Sequence, residues 1–289
     1  MLCSLAVLGC HRALLADRPR LPAGVRMEDV HFRSAILRHD VTYRVILPTA
    51  YPPTAKLPVV WLLHGAGDDY RSWSNHSEIA QLAQHGVILV MPDGENSYYV
   101  NASSGNNKQY EDYIIDEVIP DTRRRFPASI EPGYNAVVGI SRGGLGALVL
   151  GLKYPKMFGF VGSMSGALDV PERQFRWKDP STSFGLRLTF GPTNSSTRKQ
   201  NDPFLLIAGL GVEPQPTYLY LTVGEQEPLL DTNQRFVNIL QRRHLYYTFE
   251  TTAGGHNWDL WNRQLPGLQT RLLEQFGIIR HSQLAPVHP

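Results

Sequence analysis

The pentapeptide Gly139-Ile140-Ser141-Arg142-Gly143 constrains the fold of this chain more than any other feature. It fits G-x-S-x-G, a pattern short enough to occur by chance, so its flanks carry the weight. The apolar run Ala136-Val137-Val138 enters it, and the small-residue segment Gly143-Gly144-Leu145-Gly146-Ala147-Leu148 leaves it. A strand that turns sharply into a helix at a serine forces that serine into a strained backbone conformation. Glycines two positions to either side let the neighbouring chain pass that close. The turn lifts the hydroxyl above the sheet edge and points a helix N-terminus at it, where developing oxyanion charge is stabilised. The bland alternative, a glycine-rich turn with an incidental serine, does not explain strand, elbow and helix together. Ser141 is the candidate nucleophile.

The segments around the elbow alternate between two periodicities. Val30 to Leu37 and Val41 to Leu47 read as an antiparallel hairpin about Arg38-His39-Asp40. Leu57 to Leu63, Val87 to Met91, Asn135 to Ile140, Phe158 to Met164, Tyr218 to Val223 and Tyr246 to Thr251 read as buried strands. Helical spacing covers Ser77 to His85, Glu111 to Arg125, Gly143 to Tyr154, Asp231 to Arg243 and about Trp258 to Phe276. This order predicts an α/β fold with a mostly parallel, doubly wound sheet and an N-terminal antiparallel hairpin. With the serine elbow, that is an α/β-hydrolase architecture. Between Leu168 and Pro216 the pattern breaks into Pro-, Ser- and Asn-containing sequence, which predicts a loop or cap insertion over the site at about 168–216.

Charge and cysteine content narrow the function class. A net charge of +2 gives no reason to expect nucleic acid or an anionic membrane as partner. Arg123-Arg124-Arg125, the one dense basic run, reads as a solvated helix C-terminus. Both cysteines, Cys3 and Cys10, precede the body, which leaves no thiol there for metal binding or catalysis. No ligand cluster has metal spacing, so no metal or organic cofactor is expected. Gly9 before Cys10 resembles a lipid-attachment site at the end of a leader. The absence of a preceding basic residue, the short apolar run and bulky Leu8 count against that, so export and cytoplasmic residence both stay open. No later segment reaches the ~20 apolar residues of a membrane span. The expected division is a leader and linker over 1–26, one enzymatic domain over 27–278 and a polar tail over 279–289.

Triad partners in this architecture follow the nucleophile in the order acid, then histidine. Of the histidines after Ser141, His281 and His288 lie in the polar tail and His244 ends a helix. His256, in Gly254-Gly255-His256-Asn257-Trp258, directly follows the last strand and would hang over the edge that carries Ser141. The loop after Val223 offers Glu225, Glu227 and Asp231 as the acid that orients the imidazole. Glu225 lies close to the strand end, and Asp231 is placed to cap the next helix. Glu227 is the choice.

With these residues placed, the chain resembles the putative-esterase family. That family includes esterase D-type enzymes, feruloyl and acetylxylan esterases and mycobacterial mycolyltransferases. The resemblance spans about Val30 to Phe276. It rests on Leu62-Leu63-His64-Gly65-Ala66-Gly67-Asp68-Asp69, Pro92-Asp93-Gly94-Glu95-Asn96-Ser97-Tyr98-Tyr99-Val100-Asn101, Tyr110-Glu111-Asp112-Tyr113, Ser163-Met164-Ser165-Gly166-Ala167-Leu168-Asp169 and the His256 block. It implies an oxyanion hole from the backbone N–H groups of Ala66 and Arg142. Arg142 stands where the family often has methionine, and Glu227 where it usually has aspartate. The Asp93 to Tyr99 block favours the feruloyl/acetylxylan branch over S-formylglutathione hydrolases. Tyr98, Tyr99 and Trp258 would then line the acyl or alcohol pocket, unless they serve only as packing aromatics. The implied activity is hydrolysis of a small-molecule or carbohydrate ester. Acyl transfer, thioester hydrolysis and a non-catalytic binding module are the rivals.

Overall fold

The structure is a computed structural model and describes residues 16–105, 108–210 and 217–280. The expected leader around Cys10 and the last nine residues of the expected tail lie outside the described residues. Eight strands lie among the described ones: β1 (Val25–Arg33), β2 (Asp40–Pro48), β3 (Val59–Leu63), β4 (Ile88–Pro92), β5 (Asn135–Ile140), β6 (Phe160–Met164), β7 (Tyr218–Gly224) and β8 (Tyr247–Thr252). They form one sheet in the order β1-β2-β4-β3-β5-β6-β7-β8. The pairings β1–β2 and β2–β4 are antiparallel. All the others are parallel, as strand–helix alternation dictates.

Strand β3 shows why its sequence is a continuous apolar run. Val59, Trp61 and Leu63 enter one hydrophobic cluster while Val60 and Leu62 enter the other, because successive side chains point to opposite faces. Helices α1 (Ser72–His76), α2 (Gln81–Gln84) and α10 (Trp258–Gln275) cover the second cluster. On the other face lie α3 (Tyr110–Asp112), α4 (Ile119–Arg125), α5 (Arg142–Lys153) and α9 (Leu230–Arg242). Each fully buried Val, Leu or Ile contributes roughly 1.5–3 kcal/mol relative to exposure.

Local departures from the sequence reading have tertiary causes. The hairpin turns over 34–39 rather than at Arg38-His39-Asp40, because Glu117 captures it. Its Oε1 accepts from the Ala35 and Ile36 N–H groups at 2.8 and 3.1 Å, while the Ser34 hydroxyl donates to its other oxygen. The helix expected over Ser77 to His85 shrinks to α2. Ser77 is extended and its hydroxyl donates to the Trp73 carbonyl at 2.6 Å, closing α1 instead. The expected helix over 111–125 is continuous, but Tyr113–Val118 is wound as a π-helix between α3 and α4. Part of the expected linker belongs to the folded body. Asp17 pairs with Arg44, whose side chain is fully buried, and Arg20 N–H donates to Ser74 O.

The insertion is helical rather than a plain loop. It carries α6 (Pro180–Phe190), α7 (Ser196–Gln200) and α8 (Pro203–Gly209), and its last six residues, 211–216, lie outside the described ones. Each helix starts on a side-chain cap: Asp179 accepts from Thr182 N–H, Ser195 from Arg198 N–H and Asp202 from Phe204 N–H. Pro180 and Pro203 occupy first helical positions, where a missing N–H costs nothing. Among the described residues no helix is long and apolar enough to cross a membrane.

Candidate active site

Strand β5 ends at Ile140 and α5 begins at Arg142, so Ser141 alone makes the turn. Its φ of 55° and ψ of −115° lie outside the regions ordinary L-residues occupy. The neighbouring glycines explain how the chain tolerates this. A Cβ at Gly139 would sit 2.1 Å from the Gly143 oxygen, and one at Gly143 would sit 2.3 Å from the Leu63 oxygen. The elbow is pinned from three directions. Ser141 N–H donates to Met164 O at 2.9 Å, and Ser141 O accepts from Leu145 N–H at 3.2 Å and Ala167 N–H at 3.1 Å.

Strands β7 and β8 end on the same edge, and their loops bring Glu227 and His256 to the serine. His256 Nε2 lies 2.9 Å from Ser141 Oγ, and His256 Nδ1 lies 2.7 Å from Glu227 Oε2. The carboxylate accepts only, so Nδ1 carries the proton and Nε2 is free to accept from the serine hydroxyl. The Glu227 side chain is fully buried, whereas that of His256 is one-third exposed. Of the three carboxylates in that loop, Glu225 and Asp231 face solvent. Asp231 does not cap α9: the N-cap position is Leu229, without a side-chain bond, and Asp231 sits in the first turn. There its charge still complements the helix dipole.

A buried carboxylate needs partners for its remaining lone pairs. Glu227 Oε1 accepts from Gly224 N–H at 3.0 Å and from the Ser165 hydroxyl at 2.5 Å. Ser165 in turn accepts from the Trp261 indole N–H at 3.0 Å. Ser165 is fully buried, with φ of 50°. Ser165 lies within the Ser163 to Asp169 family block, but no local pattern in the sequence links it to positions 227 and 261.

The two N–H groups expected to form an oxyanion hole come from two backbone segments. Among the described residues neither the Ala66 nor the Arg142 N–H donates to another protein group. Arg142 opens α5, where N–H groups have no intrahelical acceptor. His64 braces the turn that carries Ala66: its Nδ1 donates to Gly65 O and its Nε2 accepts from Gly94 N–H, both at 2.9 Å. Burial pushes the nearby Asp68 carboxyl above its ordinary range, against the pull of His64 and His76.

The profile of the family described as putative esterase matches residues 34–272. The chain belongs to that family. An acetyl esterase of Caldicellulosiruptor saccharolyticus is 28% identical over 250 residues, covering 82% of this chain and 94% of that protein. A diacylglycerol acyltransferase/mycolyltransferase of Mycobacterium avium is 29% identical over 251 residues, covering 74% of this chain and 70% of its own length. Among solved structures, FphF, a fluorophosphonate-binding serine hydrolase of Staphylococcus aureus, superposes with a TM-score of 0.75. It is 24% identical and covers 86% of this chain and 98% of its own, a likeness that places this esterase in the α/β-hydrolase fold.

The residues expected to line the esterase's pocket separate in the structure. Tyr99 is 1% exposed, and its hydroxyl donates to His64 O at 3.2 Å. Its ring fills the space a side chain at Gly146 would need. It is therefore a core brace under the elbow and not a pocket wall. Trp258 packs edge-on against Trp73 and Trp261 at 5.5 and 5.2 Å and stays partly exposed. Tyr98 is buried between Phe190 of α6, 5.3 Å away, and the Arg142 guanidinium, 4.6 Å above its ring. Arg142 also donates to Asn96 O at 3.1 Å. A cavity of about 90 Å³ opens beyond it, lined by Asn96, Ser97, Lys108, Tyr110 and Thr189 among others. None of the triad candidates lines that cavity.

Proposed function

We propose that Ser141, His256 and Glu227 form the catalytic triad of a serine carboxylesterase acting on short-acyl or carbohydrate-linked esters. The observation that carries this reading is the unbroken hydrogen-bonded line from Ser141 Oγ through His256 to buried Glu227. Ser141 Oγ attacks the ester carbonyl as His256 Nε2 takes its proton. Glu227 keeps the imidazole in the Nδ1–H tautomer and stabilises the imidazolium. The Ala66 and Arg142 N–H groups receive the oxyanion, each lowering the barrier by about 2.7–4 kcal/mol. His256 then protonates the leaving alcohol, and water, activated by the same imidazole, releases the acid.

Substrate class is read from the rim. The Arg142 guanidinium over Tyr98 and the 95–102 loop bound the rim on one side, with a cavity of about 90 Å³ beyond them that suits a small polar or sugar-linked group. The acetyl esterase relative supports the short-acyl reading. A panel of p-nitrophenyl acyl esters, feruloyl esters and acetylated sugars tests it. Highest kcat/KM on acetyl or feruloyl esters is expected, and a preference for long acyl chains contradicts it. A second reading, acyl transfer to a sugar hydroxyl, is favoured by the mycolyltransferase relative. Adding trehalose to the acetyl ester reaction separates the two: acetylated trehalose supports transfer, and free acetate alone supports hydrolysis.

A further inference from the structure

One surface of the protein takes no part in the proposed catalysis. Scattered exposed apolar residues are normal on any protein. Here four of the eleven large apolar side chains exposed among the described residues fall within 175–188: Phe175, Trp177, Phe184 and Leu188. They are grouped in space as well. The Phe175 and Trp177 rings meet edge-on at 5.1 Å, and Trp177 is 87% exposed. Arg176 N–H donates to Ser183 Oγ at 2.9 Å, tying this strip to α6. On α6, Ser183, Leu186 and Phe190 face inward, while Phe184 and Leu188, one turn apart, face solvent.

The same stretch is cationic. From Arg173 to Phe190 it carries four basic side chains and one acidic one, an excess larger than the +2 of the whole chain. Arg173 is paired with Asp169, and the lone acid, Asp179, is engaged in capping α6. Arg176, Lys178 and Arg187 are exposed and make no ion pair among the described residues. Whole-chain charge balance, which gave no reason to expect an anionic surface as partner, averages this asymmetry away.

Aromatic and aliphatic side chains interleaved with unpaired cations have the chemistry of an interfacial segment. Trp and Phe enter the headgroup–acyl boundary, and Arg and Lys meet anionic headgroups. A sugar-stacking platform would call for flat Trp and Tyr faces without Leu188 and without the excess cations. We propose that the 175–188 face of the insertion docks on an anionic lipid bilayer. The far end of α6 reaches the catalytic rim through Phe190 and Tyr98, so docking sets the rim close to the lipid surface. This inference concerns binding and stands or falls apart from the esterase assignment.

The test is co-sedimentation of the full chain with phosphatidylglycerol/phosphatidylcholine vesicles and with phosphatidylcholine vesicles alone. Binding to the anionic vesicles is expected, falling at least about tenfold in Arg176→Gln/Lys178→Gln and in high salt. Trp177→Ala/Phe184→Ala is expected to weaken it comparably. Both variants should turn over soluble p-nitrophenyl acetate as the parent does, which shows that they fold. A blue shift of tryptophan fluorescence on binding should be lost in Trp177→Phe. Failure to bind anionic vesicles, or binding unchanged by these substitutions, overturns the proposal. So does binding to an acidic polysaccharide such as polygalacturonate without binding to vesicles, which would make the face a glycan surface.

Discussion

At the carboxyl edge of the sheet, Glu227 is fully buried and accepts three hydrogen bonds, and Ser141 is held by three backbone contacts. In the insertion, by contrast, Phe175, Trp177 and Phe184 turn their rings to solvent. In the first region each group is fixed by several others, the rigidity that a catalytic site requires. The second is fixed mainly by helix caps and by the inward stripe of α6, so its outer face is not needed to hold the fold. The proposed chemistry sits in the first region and the proposed lipid contact in the second.

Substitutions at the edge should therefore be severe and those at the rim mild. The largest effect is expected from His256→Ala, with kcat lowered about a million-fold. Glu227→Ala should cost about 10⁴-fold, while Glu225→Ala and Asp231→Ala, which alter solvent-facing carboxylates, keep near-parental rates. Full activity in Glu227→Ala would remove the acid assignment. Next, Gly143→Ala places a Cβ 2.3 Å from the Leu63 oxygen and forces α5 away from the edge. A loss of about 100-fold in kcat with an unchanged far-UV circular dichroism spectrum is expected.

Ser165→Ala tests whether the brace behind the acid matters. It removes one donor to a buried carboxylate and should lower kcat about tenfold while leaving KM in place. Trp261→Phe should do the same to a smaller degree. The effect of Ser165→Ala should vanish in a Glu227→Ala background, as coupled groups require. Smallest of all, Arg142→Met keeps the backbone donor and loses only the side chain over Tyr98. It should change acetyl ester turnover by less than about tenfold. A loss of 100-fold or more would mean the guanidinium takes part in the chemistry.

The same contrast explains what could be read from sequence. β5 ran from Asn135 to Ile140 as expected, because a strand buried on both faces leaves a contiguous apolar run. The elbow was legible because Gly139 and Gly143 flank the serine at fixed spacing, and a Cβ at Gly139 would strike the Gly143 backbone only four residues on. Ser165 was not, because its role depends on Glu227 and Trp261, which lie 62 and 96 residues away. Tyr99 could not be sorted between pocket wall and packing aromatic for the same reason: only the packed structure puts its ring against Gly146 beneath α5. The insertion's helices were hidden because periodicity over 180–209 is short and broken. Their start signals, Asp179-Pro180 and Asp202-Pro203, were nonetheless present. Glu117 relocated the hairpin turn from a helix 82 residues away from Ala35, a distance no local rule spans.

The central claim is that the elbow serine is the nucleophile of this esterase, and a fluorophosphonate probe tests it most directly. Intact-mass analysis and peptide mapping should find one adduct, on Ser141, formed far more slowly in His256→Ala and absent in Ser141→Ala. A folded parent protein that takes no adduct, or takes it on another serine with Ser141 unmodified, would contradict the account.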